Sequence, residues 1–121
     1  MSLTNTEVTC DIREMLDRIG DKWSVLVIVE LAGGTLRFRQ LQRSVPGISQ
    51  RMLTLTLRRL ERDGLVGRTV YPTVPARVDY ELTDTGRSLT RLLRGLADWA
   101  AEHRDTVVAS RVRWDAAEQA R

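Results

Sequence analysis

The stretch from Ser49 to Gly64 constrains this chain most, because it reads as a helix with two incompatible faces. At about 100° per residue, Leu53, Leu57 and Leu60 fall on one side at the i, i+4, i+7 spacing of a core stripe. Arg51, Thr54, Leu55, Arg58 and Arg62 gather on the other. Ser49 stands where an N-cap is expected, since its hydroxyl can accept from an orphan amide of the first turn. Gly64 stands where the chain must leave the helix through a left-handed residue, which glycine adopts at little cost. A surface helix ordinarily mixes signs along its exposed stripe. Here three arginines share it with no carboxylate between them, an asymmetry that points to a polyanionic partner.

The charge distribution agrees. The chain has 121 residues and a net charge of +3. Between Arg37 and Arg68, however, eight arginines face only Glu61 and Asp63, so this segment carries +6 and the rest of the chain −3. Such concentration is the electrostatic footprint of a phosphate-binding surface, although charge alone also fits a basic surface without a dedicated partner. Of the 19 basic residues only Lys22 is lysine. The planar arginine fork suits phosphate and guanine, but arginine bias also accompanies GC-rich coding DNA.

The length predicts one domain, and 42% hydrophobic with 29% charged residues describes a globular chain. No apolar run is long enough to span a bilayer and the N-terminus has no signal pattern, so no membrane association and a cytoplasmic location are expected. One cysteine and one histidine exclude a disulfide framework, a zinc site within one chain and a locally supported Cys/His catalytic pair. No metal, cofactor or enzymatic activity is expected.

Residues 1–9 read as a flexible arm, 10–105 as the folded domain, and 106–121 as a C-terminal tail, amphipathic at best, with a helical extension left open. Asp11 followed by Glu14 resembles a capping box for a first helix from about Ile12 to Ile19, broken at Gly20. A second, from about Asp21 to Leu31, buries Trp23, Leu26, Val27 and Leu31, and its continuous run of Val25 to Val29 implies contact on more than one side. A short third helix, about Phe38 to Arg43, buries Phe38 and Leu41, and a Pro46-Gly47 turn leads into the arginine-faced helix. Two helices joined by a tight glycine turn, the second one basic, is helix-turn-helix order. After Gly64 the apolar period changes to two: Val66, Val70, Val78, Tyr80 and Leu82 alternate with Arg68, Arg77, Asp79 and Glu81 around the proline-stiffened tip 72–76. That predicts a two-stranded hairpin. A long last helix follows Thr83, with Leu89, Leu92, Leu93, Leu96, Trp99, Ala100 and His103 on one side. This stripe exceeds what a small core needs and implies a second copy of the chain. The fold class is mainly α with a small antiparallel β-hairpin, a winged helix-turn-helix.

Five spaced segments carry a more specific likeness: Cys10-Asp11-Ile12, Ile19-Gly20-Asp21-Lys22-Trp23, Leu36-Arg37-Phe38-Arg39-Gln40-Leu41, Gly47-Ile48-Ser49-Gln50-Arg51-Met52-Leu53, and Val74 to Gly86. In order and content they resemble the HxlR-type transcriptional regulators, relatives of the MarR group. Asp11 and Asp21 depart from the residues common there, proline and glycine, and neither lies in a DNA-reading segment. The resemblance implies a homodimeric, sequence-specific regulator of double-stranded DNA. It also implies that some members sense oxidants or electrophiles through a cysteine matching Cys10.

On this reading Arg51, near the start of the recognition helix, contacts a guanine edge or a phosphate. Ser49 and Gln50 touch backbone or base edge, with Ser49 equally placed as a mere cap. Thr54 and Arg58 follow one and two turns on, Arg58 towards phosphate. Leu55 meets a thymine methyl or folds towards Arg59. Arg77 serves the wing, and Arg68, Arg37 and Arg39 serve the phosphate backbone, or these arginines are plain surface charge. Cys10 precedes a helix start, where the dipole favours a thiolate; an inert, partly buried thiol is the alternative. Ile12, Leu92, Leu96, Trp99 and His103 are candidates for a dimer seam. The competing function is a winged-helix module for protein–protein contacts. The small-molecule effector, operator, target genes and sign of regulation are not encoded in any motif.

Overall fold

A computed structural model of the protein describes residues 12–17 and 20–121. Cys10 and Asp11, and with them the proposed capping box and thiolate, lie outside the described residues. Residues 12–17 are helical, and so is Gly20. The expected break at Gly20 falls instead at Asp21, whose backbone is extended (φ −82°, ψ 107°). Its carboxylate accepts from the Trp23 amide at 3.1 Å and the Ser24 hydroxyl at 3.0 Å, capping helix α1 (Lys22–Leu31).

Helix α1 buries Ser24, Val27, Ile28 and Leu31. Leu26, expected inside, is exposed, as is Val29, and Trp23 is half-buried. The true stripe runs i, i+3, i+4, i+7 from Ser24, a residue that enters the core because Asp21 satisfies its hydroxyl. A two-residue strand β1 (Leu36–Arg37) leads into α2 (Phe38–Ser44), where Leu41 is buried and Phe38, expected inside, is only half so. Gln40 reaches back and accepts from the Arg37 amide at 2.8 Å, closing the N-terminus of α2.

Helix α3 (Gln50–Arg62) follows the turn at Pro46-Gly47. It ends as its sequence predicts. Gly64 takes φ +74°, the Leu65 amide donates to Leu60 at 2.9 Å and the Gly64 amide to Glu61 at 3.0 Å, the bond pair of a Schellman motif. Strands β2 (Val66–Tyr71) and β3 (Arg77–Leu82) form the hairpin, with Val66 opposite Leu82 and Tyr71 opposite Arg77. The sheet has three strands rather than two, in the order β1-β3-β2, all antiparallel, with Arg37 opposite Asp79.

Leu41, Leu53, Leu57, Leu60, Val27 and Ile28 form the centre of the core, flanked by Val45, Ile48, Leu65, Val66 and Leu82. Hairpin burial fades towards the tip. Val66 and Leu82 are buried, but Val70, predicted inside, and Tyr71 are exposed.

Thr83 joins the hairpin to helix α4 (Asp84–Gln119). Its hydroxyl donates to the Gly64 carbonyl at 2.5 Å and accepts from the Gly86 amide at 3.1 Å, capping α4 against the turn that ends α3. The approach is close enough that a Cβ on Gly86 would collide with the Leu65 carbonyl. Residues 106–119, unplaced by sequence patterning, continue this helix.

The chain divides into two compact units at Ser88/Leu89. The first holds the helix-turn-helix and the sheet. The second is the remainder of α4, on which Leu93 is buried while Leu92, Leu96, Trp99, Val108, Val112 and Trp114 are exposed. There the His103 ring stacks on Trp99 at 4.5 Å between centroids, with Nδ1 3.0 Å from the Trp99 carbonyl oxygen.

Candidate nucleic-acid interface

Helix α3 presents the two faces its sequence encodes. Leu53, Leu57 and Leu60 are buried, and the same side also takes in Thr56, whose hydroxyl has no hydrogen-bond partner among the described residues. The outer side shows Gln50, Arg51, Leu55, Arg58 and Arg62 to solvent. Ser49 is extended and its hydroxyl accepts from the Met52 amide at 3.0 Å, so its acceptor serves the cap and its hydrogen stays available. Thr54 is half-buried and donates to the Gln50 carbonyl at 2.9 Å, which uses its proton within the helix. Among the described residues no ion pair or hydrogen bond engages the Arg51 or Arg39 side chain. These guanidiniums are poised for an external anion.

The other basic residues are tied. Arg59 lies 3.8 Å from the Asp21 carboxylate and so links α3 to the cap of α1 rather than to Leu55. Arg68 lies 3.8 Å from Glu61 and opposite Tyr80 in the ladder. Burial, followed by the charge of Glu61, raises the Tyr80 phenol above its ordinary value, while Arg68 opposes the rise.

The strongest tie is on the outer face of the sheet. Asp79 alternates with apolar Val78 and Tyr80, which predicts exposure, yet it is buried. Its two oxygens accept from Arg77 Nε and Arg77 Nη2, each at 3.0 Å, and Arg37 Nε stands 4.0 Å from Oδ1. Cross-strand partners share a sheet face, so β1 brings Arg37 directly onto this carboxylate. The bidentate bond to Arg77, then the charges of Arg77 and Arg37, hold Asp79 below the usual carboxylate range against the opposing effect of burial. The same bond raises Arg77 above its ordinary value. The Arg77 guanidinium also stands 5.1 Å over the Tyr71 ring, its ladder partner. Sequence patterning marked Arg37 and Arg77 but not Asp79; the Arg-x-Asp spacing on one strand face was the available signal.

A groove of about 450 Å³ runs between α2 and the hairpin tip, walled by Arg37, Arg39, Arg43 and Arg77. Arg43 is a further basic residue that sequence patterning did not single out.

Helix-turn-helix, basic second helix and arginine-walled hairpin together decide the architecture, and sequence comparison gives the family. The HxlR-like helix-turn-helix family model matches residues 18–108. The chain belongs to that family. It is a transcriptional regulator of the helix-turn-helix type. An HTH-type transcriptional regulator of Methanothermobacter thermautotrophicus is 47% identical over 93 residues, covering 77% of this chain and 71% of the relative. Among solved structures, the redox regulator HypR in its reduced form is 40% identical with a TM-score of 0.75, over 82% of this chain and 98% of that one. Diamide-treated YodB from Bacillus subtilis is 29% identical with a TM-score of 0.68, over 84% and 96% of the respective chains. Among the described residues no helix is long and apolar enough to cross a membrane.

Proposed function

We propose that this regulator binds a near-palindromic operator as a homodimer, with α3 of each copy in the major groove. The observation that carries this reading is the outer face of α3, where Arg51, Arg58 and Arg62 stand exposed on a helix anchored by Leu53, Leu57 and Leu60. Arg51, nearest the N-terminus, reads a base edge with its fork, assisted by Gln50, Ser49 and Leu55; Thr54 lends at most an acceptor. Arg58 meets phosphate, as do Arg39 and Arg68, while Arg37 and Arg77 serve the backbone beside the wing. Two such helices related by a two-fold axis would sit in successive major grooves, roughly 34–36 Å apart.

Exposed Leu92, Leu96 and Trp99, with half-buried His103 stacked on Trp99, support a seam between copies, and exposed Ile12 is a further candidate. A free monomer would leave this apolar surface to water. The redox theme of HypR and YodB supports a sensing role for Cys10, whose thiolate would be oxidised reversibly. A protein-only winged-helix module would not require unpaired arginines on α3.

Titration of the purified protein against its own upstream intergenic DNA, by fluorescence anisotropy with competitor DNA present, tests the proposal. Tight binding altered by a mild thiol oxidant in the wild type, but not in Cys10→Ser, is the expected result. Binding indifferent to oxidant removes the sensor and keeps the regulator. Absence of any salt-dependent DNA affinity removes the DNA reading itself.

A further inference from the structure

The groove between α2 and the hairpin tip has a composition that ordinary surface charge does not explain. Four arginines wall it, from two turns of α2 and two strands, over a floor that includes Phe38 and Val78. No carboxylate lines it. The nearest acid, Asp79, sits behind the wall on the outer sheet face, buried, and its oxygens face Arg37 and Arg77. One carboxylate thus serves guanidiniums from two different strands, and each arginine has N–H groups left over, because a guanidinium carries five. Arg39 and Arg43 contribute from α2 and are exposed.

We propose that this groove seats the phosphodiester backbone of one DNA strand, and that Asp79 is the positioning residue that holds Arg37 and Arg77 towards it. The proposal rests on the DNA-binding reading above and deepens it. A bare anion would need fewer donors. A continuous strand presents successive phosphates, which matches arginines spread along both banks, and its charge complements a wall without acids. Asp79 costs the surface one positive charge. It returns preorganisation, since two flexible arginines are fixed before the strand arrives.

This arrangement makes an expectation opposite to simple charge counting. Asp79→Asn removes a negative charge beside the DNA surface, so unaided electrostatics tightens binding; the positioning role predicts weaker binding. The test uses the full chain and a random-sequence 30-base-pair duplex, followed by anisotropy from about 50 to 200 mM salt, so that no operator need be known. Arg43→Gln is expected to weaken binding about eightfold at 0.1 M salt and to reduce the salt slope by about 0.9, the worth of one phosphate contact. Asp79→Asn is expected to weaken it to a similar degree, about eightfold. Arg111→Gln, an equal charge loss on α4, should stay within about twofold.

Thermal melts by circular dichroism establish that each variant is folded. Should Asp79→Asn prove unstable, the cycle decides: in an Arg37→Gln/Arg77→Gln background the Asp79 substitution should no longer weaken binding. Equal or tighter binding by folded Asp79→Asn, or a loss in Arg43→Gln no larger than in Arg111→Gln, overturns the proposal while leaving the DNA reading intact. Displacement of the duplex by inorganic phosphate at constant ionic strength, lost in Arg43→Gln, would make this a small-anion site and equally overturn it. A wild-type chain that shows no salt-dependent duplex binding removes both the reading and the proposal.

Discussion

Helix α3 and the hairpin are both rich in arginine, but they hold it differently. On α3 the outer arginines meet no carboxylate on their own stripe, and the helix is fixed from behind by leucines and at its start by the Ser49 hydroxyl. On the sheet Arg77 and Arg37 converge on Asp79, and Arg68 stands near Glu61. The contrast follows from backbone stiffness. A packed helix is already a rigid mount, so its side chains can be left free to fit base edges. A two-stranded extension with exposed Val70 and Tyr71 is a weaker mount, and its arginines gain direction from a local carboxylate.

The largest effect should come from breaking the mount of α3. Leu57→Ala, at a position 2% exposed, should lower stability by about 2–5 kcal/mol in denaturant unfolding, whereas Arg51→Ala should leave stability within about 0.5 kcal/mol. A comparable loss from both would erase the division between anchoring and presenting faces. Next, Ser49→Ala removes the cap and should cost about 1 kcal/mol, seen as a lower Tm. Thr56→Val addresses the same buried face from the other direction. Its unpartnered hydroxyl is replaced by a methyl of similar size, and stability should rise by about 1 kcal/mol.

The smallest effect concerns pH and the sheet. The Asp79 carboxyl titrates below its ordinary value when folded, so its contribution to stability is complete above the unfolded pKa and disappears as pH falls through the folded one. Melts below about pH 4 should therefore show a steeper acid loss for the wild type than for Asp79→Asn. Parallel curves would mean that the Arg77 bond contributes nothing to folding.

Much of this was legible in the sequence for identifiable reasons. The leucine stripe, the Ser49 cap and the Gly64 turn of α3 are local signals, and local signals survive into the fold. What was missed depended on tertiary pairing. Two residues of β1 carry no periodicity, so the third strand was invisible, and with it the neighbour that helps bury Asp79. Ser24 displaced Leu26 from the buried stripe of α1 because Asp21 satisfied its hydroxyl, a compensation that hydropathy does not register. Residues 106–119 contain neither glycine nor proline to stop a helix, and that absence proved more informative than their weak amphipathicity.

The most direct test of the account compares Arg51→Ala with Arg58→Ala on an identified operator and on single-base variants of it, across a salt series. Arg51→Ala should lose about 1–3 kcal/mol of discrimination at one base pair. Arg58→Ala should weaken all sequences alike and lower the salt slope by about one unit. Equal salt slopes with unchanged base preference in both variants would contradict the claim that the free face of α3 reads sequence.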